Sequence, residues 1–458
     1  MTRPRVVVIG GGIAGLTAAS ATVDEFRRLG VDGEVRLVES ANDPGGHART
    51  ASDEGFLIES GPNGFLDRDP EILALIAELR LESRVVEASA ASRRRFIVRK
   101  RRLVKVPDSP LSFITSDSLS WRGKLRILRE PWAAAAPPGV EETVFDFAAR
   151  RIGAEAAETF VDTIISGISG GDSRALALKS QFPLLFDWES KHGSLLRAAL
   201  AERKPGPRKR TRLLAFDRGL GTLTGALAQR LGDRVSTGVA VRAVERGGEG
   251  WNIGLADGSA VPATHVIFAT PAHAASRLVA VSAPNLASAL AAIPYSGLAV
   301  AALAFRRSDV SHSPAGYGYL VPRSEGLATL GVLWESSIFP GRAPADRVLL
   351  RVMLGGARRP DVVDLDEHGL LTVARAELKM VMGLSALPER SWVFRWPRAI
   401  AQYNVGHIDR LKAIDAALAE TPGLSVCGTA YHGVSFTDAV KSGRNAARAF
   451  ASSLAGPS

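Results

Sequence analysis

Val6-Val7-Val8-Ile9-Gly10-Gly11-Gly12-Ile13-Ala14-Gly15 decides the fold, because a short apolar run ends in a GxGxxG turn that opens a helix. The three glycines have separate tasks. Gly10 permits the tight turn, Gly12 lets the backbone come close to a pyrophosphate, and Gly15 lets the helix pack on the strand. The helix N-terminus then meets phosphate with unbonded N–H groups and a partial positive charge. Residues 16–28 read as that helix and residues 34–38 as a second strand, closed by Glu39. An acid there accepts a ribose 2′-hydroxyl and repels a 2′-phosphate, which predicts FAD or NAD and excludes NADP.

Working outward, 458 residues are too many for one core and suit two or three domains. The single Cys427 excludes a disulfide framework, a CxxC redox pair and a thiolate metal site, and predicts a reducing, cytoplasmic setting. The first strand begins within a few residues of Met1, leaving no room for a signal peptide. No run approaches the ~20 apolar residues of a membrane span, so any membrane contact is expected to be peripheral, on the inner face. The eight histidines show no pair at metal-ligand spacing, and no metal is expected.

The net charge of +10 gathers in residues 93–105 (RRRFIVRKRRLVK) and 203–212 (RKPGPRKRTR). Either stretch suits phosphates, acidic lipid headgroups or a carboxylated ligand, and equally a solvated hairpin tip or loop. Phe96 is the one aromatic in the two, too few for a base-stacking platform, so nucleic acid is not an expected partner.

Further along, Gly45-Gly46 forms a second glycine turn behind Glu39, followed by a strand at 56–59 and a turn at Gly61-Pro62-Asn63. Helical spacing covers 71–81, two short strands flank Arg99-Lys100, and 111–163 is mainly helical with a break at 136–139. Residues 111–132 mix Leu, Phe, Ile and Trp with Lys124, Arg126 and Arg129, either an amphipathic face resting on an anionic bilayer or an ordinary packed helix pair. Residues 222–231 read as a helix, and 239–245, 251–255 and 266–269 as strands. The turn at 219–225 mimics a second phosphate loop, but a β-meander follows it and no acidic strand end arrives. It is read as the start of a packed helix. One dinucleotide site without a cysteine pair excludes the pyridine-nucleotide disulfide reductases. At the far end, a strand at 424–428, a turn at Gly433-Val434 and a helix at 438–450 can return to the first nucleotide unit and meet a flavin's pyrimidine end. Cys427 reads as a small buried apolar residue rather than a covalent flavin anchor.

GGGIAGL (10–16), GFLIESGPNGFLDRDP (55–70), SGISGGD (166–172), GYLVP (318–322), SSIFPGRAP (336–344), FRWPRAIAQYNVGH (394–407) and GTAYHGVSFTDAVKSG (428–443) together resemble the protoporphyrinogen and coproporphyrinogen oxidases. These lie within the wider group of flavin-dependent amine oxidases. The resemblance covers nearly the whole chain in order. It implies an α/β fold in which a Rossmann-like FAD-binding domain of the p-hydroxybenzoate-hydroxylase type carries a mixed α+β substrate domain and an inserted helical domain. The expected division is FAD-binding at 1–75, 209–275 and 410–458, substrate domain at 76–110 and 276–409, and a helical, membrane-contacting block at 111–208. It also implies non-covalent FAD, removal of six electrons from a porphyrinogen and oxygen as acceptor, and a homodimer is compatible with it.

Carried over position by position, the resemblance implies flavin contacts at Gly10, Gly12, Ile13, Ala14, Gly15, Glu39, Gly45, Gly46, Arg49, Gly61, Pro62, Asn63, Val241, Trp396, Gly428, Val434, Ser435 and Phe436. Val241 would hold the adenine through its backbone. Arg95 resembles the arginine that pairs with a propionate, and Gly167, Leu320, Leu333 and Met353 resemble the lining of the ring pocket. Three positions depart from the pattern. Asp43 stands where an arginine is usual, with Arg49 the nearby substitute, Ser435 replaces a common glycine, and His432 is unusual.

A porphyrinogen is a broad apolar macrocycle with an acidic rim, so its site should be an apolar slot with fixed cations. The redox chemistry resides in the flavin and the chain supplies placement, so no catalytic acid, base or metal is assigned. Protoporphyrinogen IX is the preferred substrate and coproporphyrinogen III the alternative. Amine or amino-acid oxidation, with Tyr431 as the candidate aromatic beside the flavin, and a non-catalytic tetrapyrrole-binding flavoprotein remain as other classes.

Overall fold

The computed structural model describes residues 3–136, 139–203, 210–248, 250–310 and 314–454. The middle of the second basic stretch, 204–209, and the Pro137-Pro138 break lie outside the described residues.

The opening motif builds the first layer. Strand Arg5–Ile9 is central in a five-stranded parallel sheet ordered Val235–Ser236, Glu34–Val38, Arg5–Ile9, His265–Phe268, Leu424–Val426. Parallel neighbours with helices on both faces bury both sides of such a strand, hence the unbroken Val-Val-Val-Ile run. Helix Ile13–Leu29 starts at the turn itself, with Gly12 as its cap residue and without a side-chain cap, and ends on Gly30 in the left-handed region. It therefore begins earlier than residue 16, inside the glycine motif. On its outer side lies the last helix, Phe436–Leu454, at a crossing so close that a Cβ on Gly443 would collide with the Ala14 carbonyl.

The second layer is a seven-stranded sheet ordered Arg390–Ala401, Tyr295–Arg306, Arg347–Gly355, Thr329–Leu333, Gly318–Leu320, Arg95–Arg99, Arg102–Lys105. All pairs are antiparallel except Gly318–Leu320 with Arg95–Arg99. Val98, Tyr319, Val332 and Val352 point to a face covered by helix Glu367–Met382 through Leu370, Ala374 and Leu378. The basic stretch forms the expected hairpin, Arg95–Arg99 with Arg102–Lys105, but its turn falls one residue later than expected, at Lys100 and Arg101, with φ 51° and 61°. That is the conformation a two-residue turn between twisted strands requires.

The turn at 219–225 starts a packed helix, Gly221–Leu231, with Leu223 and Leu227 fully buried. Its first amides are already taken: Leu220 N donates to Glu59 at 2.9 Å and Gly221 N to Thr50 Oγ1 at 3.0 Å. A β-meander of Val241–Gly247, Gly250–Leu255 and Ala260–Ala263 follows.

The helical block includes Pro110–Thr115, Trp121–Leu128, Val144–Ile152, the π-helical Ala157–Asp162 and Thr163–Ser169, the last of which lies against Gly318–Leu320 and Thr329–Leu333. Within it the expected basic rim is corrected. Lys124 is buried and donates to the carbonyls of Ile114 and Ser116, both at 2.7 Å, and Arg126 donates to those of Arg150 and Arg151. Of the three cations only Arg129 faces outward, joined by Arg122.

A Cβ on Gly15 would overlap the Gly10 carbonyl oxygen, a backbone atom that cannot swing away. Gly15→Ala should destabilise the chain by about 3 kcal/mol, read as a lower thermal or denaturant midpoint of the flavin-free protein.

Candidate functional site

At the carboxyl edge of the parallel sheet, where α/β folds bind ligands, the glycine turn is folded as its sequence demands. Gly10, at φ 109°, donates its N–H to the Val38 carbonyl at 2.8 Å. In front of Gly12 a Cβ would meet nothing within 4 Å. The N–H groups of Ile13, Ala14 and Gly15 head a helix without a side-chain cap, while the Ile13 and Ala14 side chains are core. Glu39 closes the second strand half-buried, accepting from Gly11 N at 2.6 Å and Ala41 N at 2.7 Å.

The second glycine turn docks on the first. Gly45 N donates to Gly11 O at 2.7 Å, and a Cβ on Gly46 would lie 3.1 Å from Gly12 Cα. Arg49 donates through Nε to Gly46 O at 3.0 Å, which places a cation at this turn although Asp43 is exposed. Val239 N donates to Glu39 O at 3.0 Å, so the segment leading to Val241 runs past the same strand end.

Next in the cleft come Gly61, Pro62 and Asn63. The hairpin Thr50–Asp53 with Phe56–Glu59 delivers them. Glu59, fully buried, pairs with Arg342 at 3.0 Å and accepts from Thr50 Oγ1 at 2.7 Å; burial pushes its carboxyl up, against Arg342, Thr50 and Leu220, which pull it down. Trp396 Nε1 donates to Ser60 O at 2.8 Å, and the Trp396 ring meets His47 edge-on at 4.5 Å. Arg351, buried and 3.3 Å from Glu335, donates to the Gly61 carbonyl. His47 and Arg351 were not foreseen.

The C-terminal return closes the far side. Gly428, at φ 120°, has open space where a Cβ would stand, and its N–H donates to Ser442 Oγ at 2.9 Å. Ser435 and Asp438 cap the last helix reciprocally, Ser435 N reaching Asp438 Oδ2 at 3.0 Å and Asp438 N reaching Ser435 Oγ at 3.1 Å. Val434 is half-buried. The Phe436 side chain is instead core, stacked near Phe65 at 6.1 Å, which leaves only its backbone for a ligand. Cys427 is buried, its thiol pushed up to about 12 by that burial.

The pocket residues share the other face of the seven-stranded sheet. Leu320 pairs with Gly331, and Gly331 with Met353, so the bare glycine separates two side chains. Leu333 lies beside them and packs near Met353 and Tyr317. Over this face rests helix Thr163–Ser169, so close that a Cβ on Gly167 would strike the Leu320 methyls. Ile164 and Ile168, on the same side of that helix as Gly167, are 45% and 66% exposed. At one end Arg95 extends over the Tyr317 ring at 5.4 Å, exposed and, among the described residues, without an acidic partner within ion-pair distance. Tyr431 is 4% exposed, in the buried cluster that also holds Ala430, Tyr403 and Ile414.

A profile of the "Flavin containing amine oxidoreductase" family matches residues 13–450. The chain belongs to that family. This flavoenzyme is 32% identical to the protoporphyrinogen oxidase of Bos taurus, over 96% of its own length and 97% of the other's. It is 32% identical to the chloroplastic protoporphyrinogen oxidase of Oryza sativa subsp. japonica, over 90% and 81%. To the coproporphyrinogen III oxidase of Bacillus subtilis it is 29% identical, over 97% of both. Its fold matches a solved structure from Exiguobacterium sp. 255-15 with a TM-score of 0.87 at 22% identity, covering 99% and 100% of the two chains. The cyclohexylamine oxidase of Brevibacterium oxydans IH-35A matches at 0.70 and 18%, over 99% and 100%.

The cofactor of this family, FAD, fits the residues present. Open backbone at Gly12 and Gly428, an uncapped helix N-terminus and a carboxylate at Glu39 suit a dinucleotide. Gly12→Ala should fold with the wild-type stability of the flavin-free chain, since its Cβ meets no protein atom, yet retain less than about a tenth of the flavin, measured by absorbance of the purified protein.

Proposed function

We propose that this flavoenzyme oxidises protoporphyrinogen IX to protoporphyrin IX in porphyrin biosynthesis, passing six electrons in three steps to molecular oxygen and releasing hydrogen peroxide. The observation that carries it is the apolar sheet face of Leu320, Leu333 and Met353, covered by helix Thr163–Ser169 at Gly167, with Arg95, which has no acidic partner among the described residues, at its end. That is the shape and charge of a flat macrocycle with carboxylates on its rim.

Bound at the cleft, FAD supplies a two-electron acceptor for hydride from a methylene bridge. The chain's residues hold the reactants in register. Arg95 clamps a propionate through two parallel hydrogen bonds, with Tyr317 under its guanidinium limiting its freedom. Arg351 fixes the Gly61 turn against the strand that carries Met353, which ties cofactor loop and pocket to one frame.

Coproporphyrinogen III oxidation is a second reading, favoured by the Bacillus subtilis relative and by Arg93 and Arg94, exposed beside Arg95, where additional carboxylates would fall. Comparing kcat/KM for the two porphyrinogens on the purified protein decides between them, with protoporphyrinogen expected to win. Arg95→Ala should raise KM by roughly tenfold or more with flavin content intact; unchanged kinetics would remove Arg95 from the site.

The division expected from the sequence organises this arrangement, with 1–75, 209–275 and 410–458 cradling FAD and 76–110 with 276–409 holding substrate. For 111–208 we assign a peripheral contact with the inner face of an anionic membrane. Trp121, Leu125 and Leu128 form one stripe of helix Trp121–Leu128 at i, i+4 and i+7, Trp132 follows in the next 3-10 turn, and all four are 57–77% exposed, with Arg122 and Arg129 exposed beside them. No helix among the described residues is long and apolar enough to cross a membrane. The protein should float with vesicles of anionic phospholipid, and a Trp121→Ser, Leu125→Ser, Trp132→Ser variant should remain in the dense fraction.

A further inference from the structure

Asp162 carries no exposed side-chain surface, yet its carboxylate meets two arginines from the substrate sheet. Arg358 Nη2 lies 2.8 Å from Oδ2 and also donates to the Asp162 carbonyl at 2.5 Å, and Arg323 Nε reaches Oδ2 at 3.4 Å. Ser173 Oγ completes the shell on Oδ1 at 2.6 Å, and Arg323 continues to Asp172 at 2.6 Å. Asp162 is the last residue of the π-helical turn, and the roof helix Thr163–Ser169 starts at the next residue. Extra π turns occur disproportionately at functional sites.

The opposite end of the roof is held by neutral groups, with Ala357 N on the Gly170 carbonyl at 2.7 Å and Gln402 Nε2 on that of Ser169 at 3.1 Å. One end of the roof thus rests on amide hydrogen bonds and the other on a buried charge clamp. Both arginines lie just beyond the strands that form the floor, Arg323 three residues past Leu320 and Arg358 five past Met353. We propose that Asp162 is a positioning residue that sets the height of Ile164, Gly167 and Ile168 above the substrate sheet, and so the KM and size selectivity for a planar macrocycle. This rests on the chamber holding a porphyrinogen.

The test uses the FAD-loaded full chain. Arg323→Gln, which leaves Arg358 to neutralise Asp162, should raise KM for protoporphyrinogen about tenfold while kcat and the flavin spectrum hold, as a displaced substrate wall would. Hydrogen exchange at 163–169 should accelerate with that at 13–29 unchanged, and Arg323→Lys should restore much of both. Asp162→Asn should act in the same direction and more strongly; if it does not fold, Arg323→Gln decides alone. Unchanged exchange in the roof, or faster exchange with an unchanged KM, would overturn the proposal. Absence of porphyrinogen turnover in the wild-type protein would overturn the proposed function only, because exchange reads the clamp without substrate.

Discussion

Backbone pressed against backbone at Gly10 and Gly15 is the contact on which the molecule is built. A strand and a helix joined by so short a turn can lie this close only where neither residue carries a side chain. Once they do, the helix N-terminus must face the carboxyl edge of the sheet, and the second glycine pair can seat on Gly12. The last helix then crosses the first at a spacing that Gly443 and Ala14 allow. Cofactor chemistry is located by a steric limit before any charge is considered.

Buried ion pairs join the parts. Glu59 with Arg342 fixes the hairpin that leads to Gly61, Glu335 with Arg351 fixes Gly61 to the pocket strand, and Asp162 with Arg358 fixes the helical insertion to the same sheet. Such pairs add little net stability compared with apolar residues of equal volume, since desolvation offsets most of the attraction. Removing one partner costs about 3–5 kcal/mol. Their value here is geometric, because Glu59 with Arg342 and Asp162 with Arg358 each join stretches far apart in the chain.

The sequence made the nucleotide fold legible because its signals are local: period, glycine placement and an acid at a strand end. The hairpin at 93–105 was readable for the same reason. Direction was not readable. Lys124 and Arg126 look like a basic rim in one dimension, but their heads turn inward to carbonyls at the ends of neighbouring helices. Phe436 looks like a ligand contact and is core. Ile164 and Ile168 look like core and are open, because burial depends on what the roof helix faces and not on its own pattern. Tyr317 escaped notice since Gly318, at φ 133°, breaks the strand's alternation just after it.

The proposed oxidation releases peroxide, and Cys427 acquires a different significance in its light. Oxidation of a thiol proceeds through its thiolate, and burial that pushes this group up to about 12 leaves almost none at neutral pH. Met353, on the face proposed for the substrate, has a half-buried thioether, and its oxidation to the sulfoxide is one that reductases can reverse. Under the proposed reaction, wear from turnover falls on a repairable residue of the substrate face and spares the strand end beside the cofactor.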